Sequence, residues 1–310
     1  NNFSTTRLEA DEIKIVSGLF ENKSLGTPIT ILIENKNKIS SDYDHLKNIY
    51  RPNHADFVTE KKYGFRDFRG GGRSSIRITA PLVAAGEIAF QVFNSFHKYE
   101  INTFVSQIGN EKWDFNYEEL LNVDSEKINN SLFHCPDENV SKKMEDLISN
   151  IEKDTLGGII TCVVKNIPIG IGEPVFGKLQ SRLAQAMLSI NTVKGFEYGD
   201  GFDAASKKGS EHNDAFIIEQ NEIKTKTNFS GGIQGGISNG MPIFFNVALK
   251  PISSIELRQQ TVDINKNEIE LEIAGRHDKC ALPRATSIVE AYANLILLDL
   301  YLQNKIYSTL

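Results

Sequence analysis

The chain has 310 residues, 40 % of them hydrophobic, with 34 Lys/Arg against 40 Asp/Glu and a formal net charge of −6. That length and apolar content bury a sizeable core, as one large domain or two intertwined layers. The acidic balance excludes a general nucleic-acid binder, whose surface is basic. No signal-peptide pattern and no apolar run of about 18 residues is read, so no membrane span is expected.

Residues 11–20 mix apolar and polar positions without a clear period. Gly26-Thr27-Pro28 leads into Ile29, Ile31 and Ile33, whose alternation predicts a strand. Residues 36–50 read as a loop, and 51–79 carry the densest chemistry. Thr79 as cap, Pro81 in the first turn, and Leu82, Ala85, Ala89, Val92 and Phe96 on one face predict a helix. Residues 99–109 predict a strand ending at Gly109. The polar segment 110–137 reads as an exposed insertion. Val140, Met144, Leu147, Ile148 and Ile151 mark a second amphipathic helix, and 157–164 a buried strand. Leu179, Leu183, Ala186, Met187 and Ile190 predict a third helix that stops at Gly195. Residues 199–228 read as loops. Ile243, Phe245, Val247 and Leu249 alternate as a strand. Residues 262–273 predict a hairpin turning near 265–267, and a last helix runs over about 286–302.

The strands alternate in polarity rather than forming continuous apolar runs. That favours antiparallel sheets with one covered face, hence α+β over a doubly wound parallel sheet. No GxGxxG follows a first strand, so a dinucleotide fold is not expected.

Within 51–79, seven Lys/Arg face three Asp/Glu, so the stretch is locally basic. A glycine triplet, 70–72, precedes Ser74 and Ser75. Arg66, Arg69, Arg73 and Arg77 recur every three or four residues. Arginines at that spacing are often a solvated helix face. Three consecutive glycines argue against a helix, since each costs about 1 kcal/mol relative to alanine. Backbone able to approach a ligand, beside hydroxyls and guanidiniums just before a helix N-terminus, suits phosphate. Three later stretches share this character: Asn191-Thr192-Val193-Lys194-Gly195, Lys250-Pro251-Ile252-Ser253-Ser254, and Gly275-Arg276-His277-Asp278. Singly, each has a bland reading as helix-end charge, turn or exposed ion pair. Together they read as pieces of one anion pocket.

His54 and Asp278 are the candidates for proton transfer, because imidazole titrates near neutrality and its neighbours tune it. His54 has a structural alternative, a hydrogen bond beside Asp56, and His277 rivals Asp278 within its loop. The six histidines include no pair at metal-ligand spacing. Cys135, Cys162 and Cys280 are far apart and outside any zinc or CxxC spacing, which reads as reduced thiols in a cytoplasmic protein. Tyr63, Phe65 and Phe68 near the glycine loop do not form an RNA-recognition pattern.

The sequence resembles the chorismate synthase family along nearly its whole length. The resemblance rests on RPNHAD at 51–56, KYG at 62–64, RGGGRSS at 69–75, GIGEPVF at 170–176, SINTVKG at 189–195, GDGF at 199–202, GGIQGGISNG at 231–240, KPISS at 250–254 and GRHD at 275–278. It implies a single domain over 1–310, helices packed between two antiparallel sheets, a homotetramer, and FMN in its reduced form. It implies the anti-1,4-elimination of phosphate from 5-enolpyruvylshikimate 3-phosphate to give chorismate, with an external flavin reductant. In that account the reduced flavin gives electron density as phosphate leaves and takes a hydrogen from the substrate.

By the same resemblance, His54 stabilises or protonates the reduced flavin and Asp278 helps the flavin N5 accept the substrate proton. FMN contacts fall on Arg73, Ser74, Ser75, Asn191, Thr192, Gly235, Lys250, Pro251, Ile252, Ser253, Ser254 and Arg276. Arg51 and Arg77 lie on the substrate side. Three departures accompany it. Roughly 50 family residues precede Asn1, including a Phe-Gly-Glu-Ser-His-Gly motif whose histidine protonates the leaving phosphate. A protein without them would be a flavin-binding homologue of impaired turnover. Ile78 stands where the family has Glu, which removes a carboxylate. Asn53 replaces a glycine in RPGHAD, and Asn tolerates positive φ.

Overall fold

A computed structural model describes residues 11–36, 39–69, 72–273 and 278–307. Its frame is a five-stranded antiparallel sheet in the order Glu111–Lys112, Glu100–Ile108, Gly158–Lys165, Ile243–Leu249, Val193–Tyr198. Ile243–Leu249 alternates buried and half-buried positions, as its sequence pattern requires. The Gly158–Lys165 strand does not alternate. It is central and covered on both faces, so Ile160 to Val164 are all buried. Gly158 has a specific reason to lack a side chain: a Cβ there would run into the Gln107 carbonyl, where the neighbouring strand bulges.

On one face lie the Ala80–Phe96, Glu138–Ser149, Leu179–Leu188 and Leu282–Asn304 helices. Their apolar stripes meet the sheet around Phe93, Met144, Leu183, Val289 and Leu297, all essentially inaccessible. Gly86 lets the first and last of these helices approach closely, since a Cβ there would overlap Ala291. These two helices, counted as Ile76–Phe96 and Leu282–Asn304, are long and apolar enough to cross a membrane, which the sequence reading did not count. Here they pack on each other in the core cluster.

The other face corrects an expectation. Residues 110–137 are not an exposed insertion. They fold into the Tyr117–Leu121 and Ser125–Asn130 helices, capped by Asn116 and Asp124. Leu120, Val123 and Ile128, with Trp113 and Phe115, cover Phe104 and Val163 of the sheet. The polar residues that dominated the sequence signal face outward, and few apolar positions suffice to seal one sheet face.

Other differences are local. Thr79 does not cap the Ala80–Phe96 helix, because its hydroxyl donates back to the Ile76 carbonyl at 2.6 Å. The third helix ends at Leu188, and Gly195 lies inside the Val193–Tyr198 strand. Residues 199–228 contain the Phe216–Glu219/Glu222–Thr225 hairpin. The hairpin expected over 262–273 is present as Gln259–Asp263 and Glu268–Leu271, with Ile49–Tyr50 adding a third strand. Antiparallel sheets and interspersed helices make the chain α+β, as expected. All three cysteines are free and buried, and burial pushes the Cys135 thiol up to about 11.

Glu290, on the last helix, is pushed up to about 7, first by burial and then by the charge of Glu87. A carboxyl raised on folding contributes stability below its unfolded pKa and loses it as pH rises through the folded value. Glu290→Gln, which mimics the protonated form, therefore raises the urea midpoint at about pH 8 and leaves it unchanged near pH 4. Equal gains at both pH values would contradict a titrating Glu290.

Candidate functional site

The 51–56 segment is a tight turn that enters the Asp56–Tyr63 helix, closed by a His54 N–H to Arg51 carbonyl bond of 3.2 Å. Asn53 sits at φ 52, the left-handed position that its amide tolerates in place of glycine. Asp56 is 5 % exposed. It accepts from the Arg51 backbone N–H (3.2 Å), Arg51 Nε (2.8 Å), Arg51 Nη2 (2.9 Å) and Arg66 Nη1 (3.3 Å). Burial alone would raise the Asp56 carboxyl. Hydrogen bonds from Arg51, contact with His54 and the Arg51 charge outweigh it and hold the group well below the usual carboxylate range.

The four arginines of the 66–77 series therefore divide by role. Arg66 is a buried fastener whose Nη2 donates to the Leu46, Lys47 and Ile49 carbonyls. Arg69 pairs with Asp67 at 2.8 Å on the surface. Arg77 pairs with Asp11 at 2.5 Å and donates to the Glu34 carbonyl. Arg73 makes no hydrogen bond or ion pair among the described residues. Its neighbours Ser74 and Ser75 open a short 3-10 turn, where the Ser75 hydroxyl accepts from the Arg77 N–H at 3.2 Å.

Arg51, His54, Arg73, Ser74 and Ser75 line one cavity of about 590 Å³. Tyr63, Phe65 and Phe68 also line it. These aromatics, considered in the sequence only as an RNA pattern, provide an apolar wall beside the cations. Gly72 borders the cavity, while Gly70 and Gly71 fall outside the described residues.

Distant segments are stitched to this cavity by polar contacts. Asn191 Nδ2 donates to the Ser74 carbonyl at 3.1 Å, and its Oδ1 is buried without a hydrogen-bond partner among the described residues. Thr192, at φ 75, accepts the Lys250 N–H at 3.0 Å. Lys250 Nζ donates to Ser253 Oγ at 2.7 Å and the Pro251 carbonyl at 3.3 Å. Ser253 Oγ in turn donates to the Asn53 carbonyl at 3.0 Å, which joins KPISS to RPNHAD. Burial, then the charge of Lys194, lowers the Lys250 ammonium pKa. Thr155 Oγ1 donates to the Ile252 carbonyl at 2.8 Å, beside a half-buried Ser254.

Asp278 adjoins Lys279, whose backbone is tied to the 155–157 segment. The Leu156 N–H donates to the Lys279 carbonyl at 2.9 Å, one residue from the Thr155 contact. Gly157 then passes so close to Leu249 and Lys250 that a Cβ would strike the Leu249 carbonyl. Arg284 Nη1 donates to Asp278 Oδ2 at 3.3 Å. The cavity itself is lined by His54 and not by Asp278. Arg276, with Gly275 and His277, lies outside the described residues. Gly235, at φ 63, turns between Ile233–Gln234 and Ile237–Ser238, and no described contact joins it to the cluster.

The donor set suits a ligand with a flat ring and anionic oxygens. Arg73 has a guanidinium to offer, Lys250 an ammonium half withdrawn from water, and the orphaned Asn191 Oδ1 requires a donor. The chorismate synthase family model matches residues 1–302. The chain belongs to the chorismate synthase family. A chorismate synthase from Flavobacterium psychrophilum is 52 % identical over 307 residues, covering 98 % of this chain and 84 % of that protein. One from Christiangramia forsetii is 50 % identical over 303 residues, covering 97 % and 83 %. A crystal structure of a chorismate synthase superposes with a TM-score of 0.75 at 30 % identity, over 94 % of this chain and 78 % of that one. Family membership fits the chemistry of the cavity, where Arg51, Arg73, Ser74 and Ser75 meet aromatic side chains and hydrogen bonds tie the Asn191 and Ser253 segments to the wall. Among the described residues no cluster holds metal-ligand geometry.

Proposed function

We propose that the chain catalyses the anti-1,4-elimination of phosphate from 5-enolpyruvylshikimate 3-phosphate, giving chorismate, in the cavity beside His54. The observation that carries this reading is an aromatic-walled space of ligand size lined by His54, Arg73, Ser74 and Ser75, to whose wall hydrogen bonds tie Asn191 through Ser74 and Lys250 through Ser253 and Asn53. Reduced FMN, when bound, supplies electron density for departure of the phosphate and accepts the hydrogen that the substrate loses. Arg73, Ser74 and Ser75 bind anionic oxygens at the mouth of the 3-10 turn. Asn191 and Thr192, Lys250 to Ser254, Gly235 and Arg276 would complete the cofactor-side set, in which the buried Asn191 Oδ1 is an acceptor in need of a donor. His54 holds a hydrogen bond toward the reduced ring. Asp278 would assist the ring in accepting the hydrogen that the substrate loses. Arg51 and Arg77 stand on the substrate side, where a substrate anion competes with Asp56 and Asp11 for them.

The same reading brings an external flavin reductant, a homotetramer, helices held between two antiparallel sheets, and a cytoplasmic protein with unoxidised thiols. It is tested by anaerobic phosphate release with dithionite-reduced FMN, using the Flavobacterium psychrophilum relative as positive control. Release only by the control overturns it. Lys250→Ala raises the FMN dissociation constant about 10- to 150-fold, the equivalent of a charge-assisted contact of about 1.5–3 kcal/mol. An unchanged constant by equilibrium titration refutes the contact. Asp278→Asn lowers the single-turnover rate more than it weakens FMN. Loss of affinity alone would make Asp278 a binding group.

A further inference from the structure

The imidazole of His54 is caught between two groups that ask opposite things of it. Its Nδ1 lies 3.1 Å from Arg51 Nη2 and 3.0 Å from Asp56 Oδ1. A bare Nδ1 accepts from the guanidinium, whereas a protonated Nδ1 donates to the carboxylate. It cannot do both in the neutral ring.

Counting donors at Asp56 decides between them. A carboxylate offers about four lone-pair sites, two on each oxygen. Oδ2 takes the Arg51 N–H at 3.2 Å and Arg51 Nε at 2.8 Å. Oδ1 takes Arg51 Nη2 at 2.9 Å and Arg66 Nη1 at 3.3 Å. Both oxygens are then filled, and an Nδ1 proton would be a fifth donor. Arg51 Nη2 carries a second hydrogen, and Nδ1 is the acceptor within its reach. The arrangement that uses every group leaves Nδ1 without a proton.

We infer that Arg51 and Asp56 are positioning residues that hold neutral His54 in its Nε2–H tautomer. Asp56 saturates itself with arginine donors, and Arg51 gives its remaining hydrogen to Nδ1. The proton then sits on the ring edge away from this pair, so His54 offers the cavity a donor rather than a lone pair. Resting on the proposed function, that donor is the hydrogen bond presented to an electron-rich reduced ring. Arg51 would thereby act through His54 in addition to any contact with substrate.

The test is magic-angle-spinning ¹⁵N spectroscopy of the full chain labelled at histidine, at alkaline pH, without FMN. The His54 signals are identified by their loss in His54→Gln. The expected result is a protonated Nε2 and a bare Nδ1 in the wild type, and the reverse tautomer in Arg51→Leu, where Oδ1 gains a free site. A wild-type Nδ1–H signal overturns the inference. An unchanged tautomer in Arg51→Leu overturns the part given to Arg51. Should that variant not fold, the wild-type spectrum decides alone. The wrong tautomer with phosphate release intact sinks only this inference. The expected tautomer without phosphate release sinks only the function.

Discussion

His54→Ala slows phosphate release roughly 10²–10⁴-fold, the range for removing a positioned proton donor or acceptor. The side chain is a quarter exposed, with its ring toward the cavity wall, so its removal leaves no large void. The turn that carries it is held by backbone and by Arg51–Asp56, none of which needs the imidazole. The loss therefore appears in single-turnover rate, with thermal stability near that of the wild type. A wild-type rate would remove His54 from the chemistry and leave it as a structural partner of Asp56.

Asp56→Ala destabilises the fold by about 3–5 kcal/mol, because it strands two guanidiniums that have little access to water. The Arg51 side chain is 12 % exposed and that of Arg66 is 6 %. Of their remaining partners among the described residues, Glu60 at 3.4 Å and three backbone carbonyls serve Arg66, and Arg51 keeps only the neutral His54 Nδ1 at 3.1 Å. Urea denaturation near neutral pH measures the loss. A companion pH series carries the sign. The Asp56 carboxyl is depressed on folding, so its contribution is present above the ordinary carboxylate pKa and is lost as pH falls through the folded value. The gap between wild type and Asp56→Ala accordingly narrows in acid. A gap below about 1 kcal/mol at neutral pH would place this pair with ordinary surface ion pairs.

Much of the site was legible as chemistry before it was legible as geometry. Ser74, Asn191, Lys250 and Ser253 stand out in the sequence as hydroxyl- and cation-bearing positions, and the fold links their segments pairwise through Ser74–Asn191, Thr192–Lys250 and Ser253–Asn53. The arginines were less legible. Spacing treated Arg66, Arg69, Arg73 and Arg77 as one series, yet three have different partners and Arg73 has none among the described residues. What separates them is whether a carboxylate or carbonyl from elsewhere in the chain arrives within 3–4 Å, and periodicity carries no such information. The 110–137 segment failed for a related reason. Only a handful of its residues need be apolar to cover Phe104 and Val163, so average polarity hid a covering layer.

By itself the sequence determined the properties that depend on neighbours along the chain. Period-two alternation set the Ile243–Leu249 strand, the Asn at 53 allowed a left-handed turn, and motif order marked the family. Tertiary structure alone decided which charges are free. Asp56 could have been a site carboxylate and Arg66 an anion receptor. Folding instead closed them on one another, because buried charges persist only when paired. It left Arg73 at the cavity without an ion pair among the described residues, and it brought Tyr63 and Phe65 from the end of one helix to wall the same space.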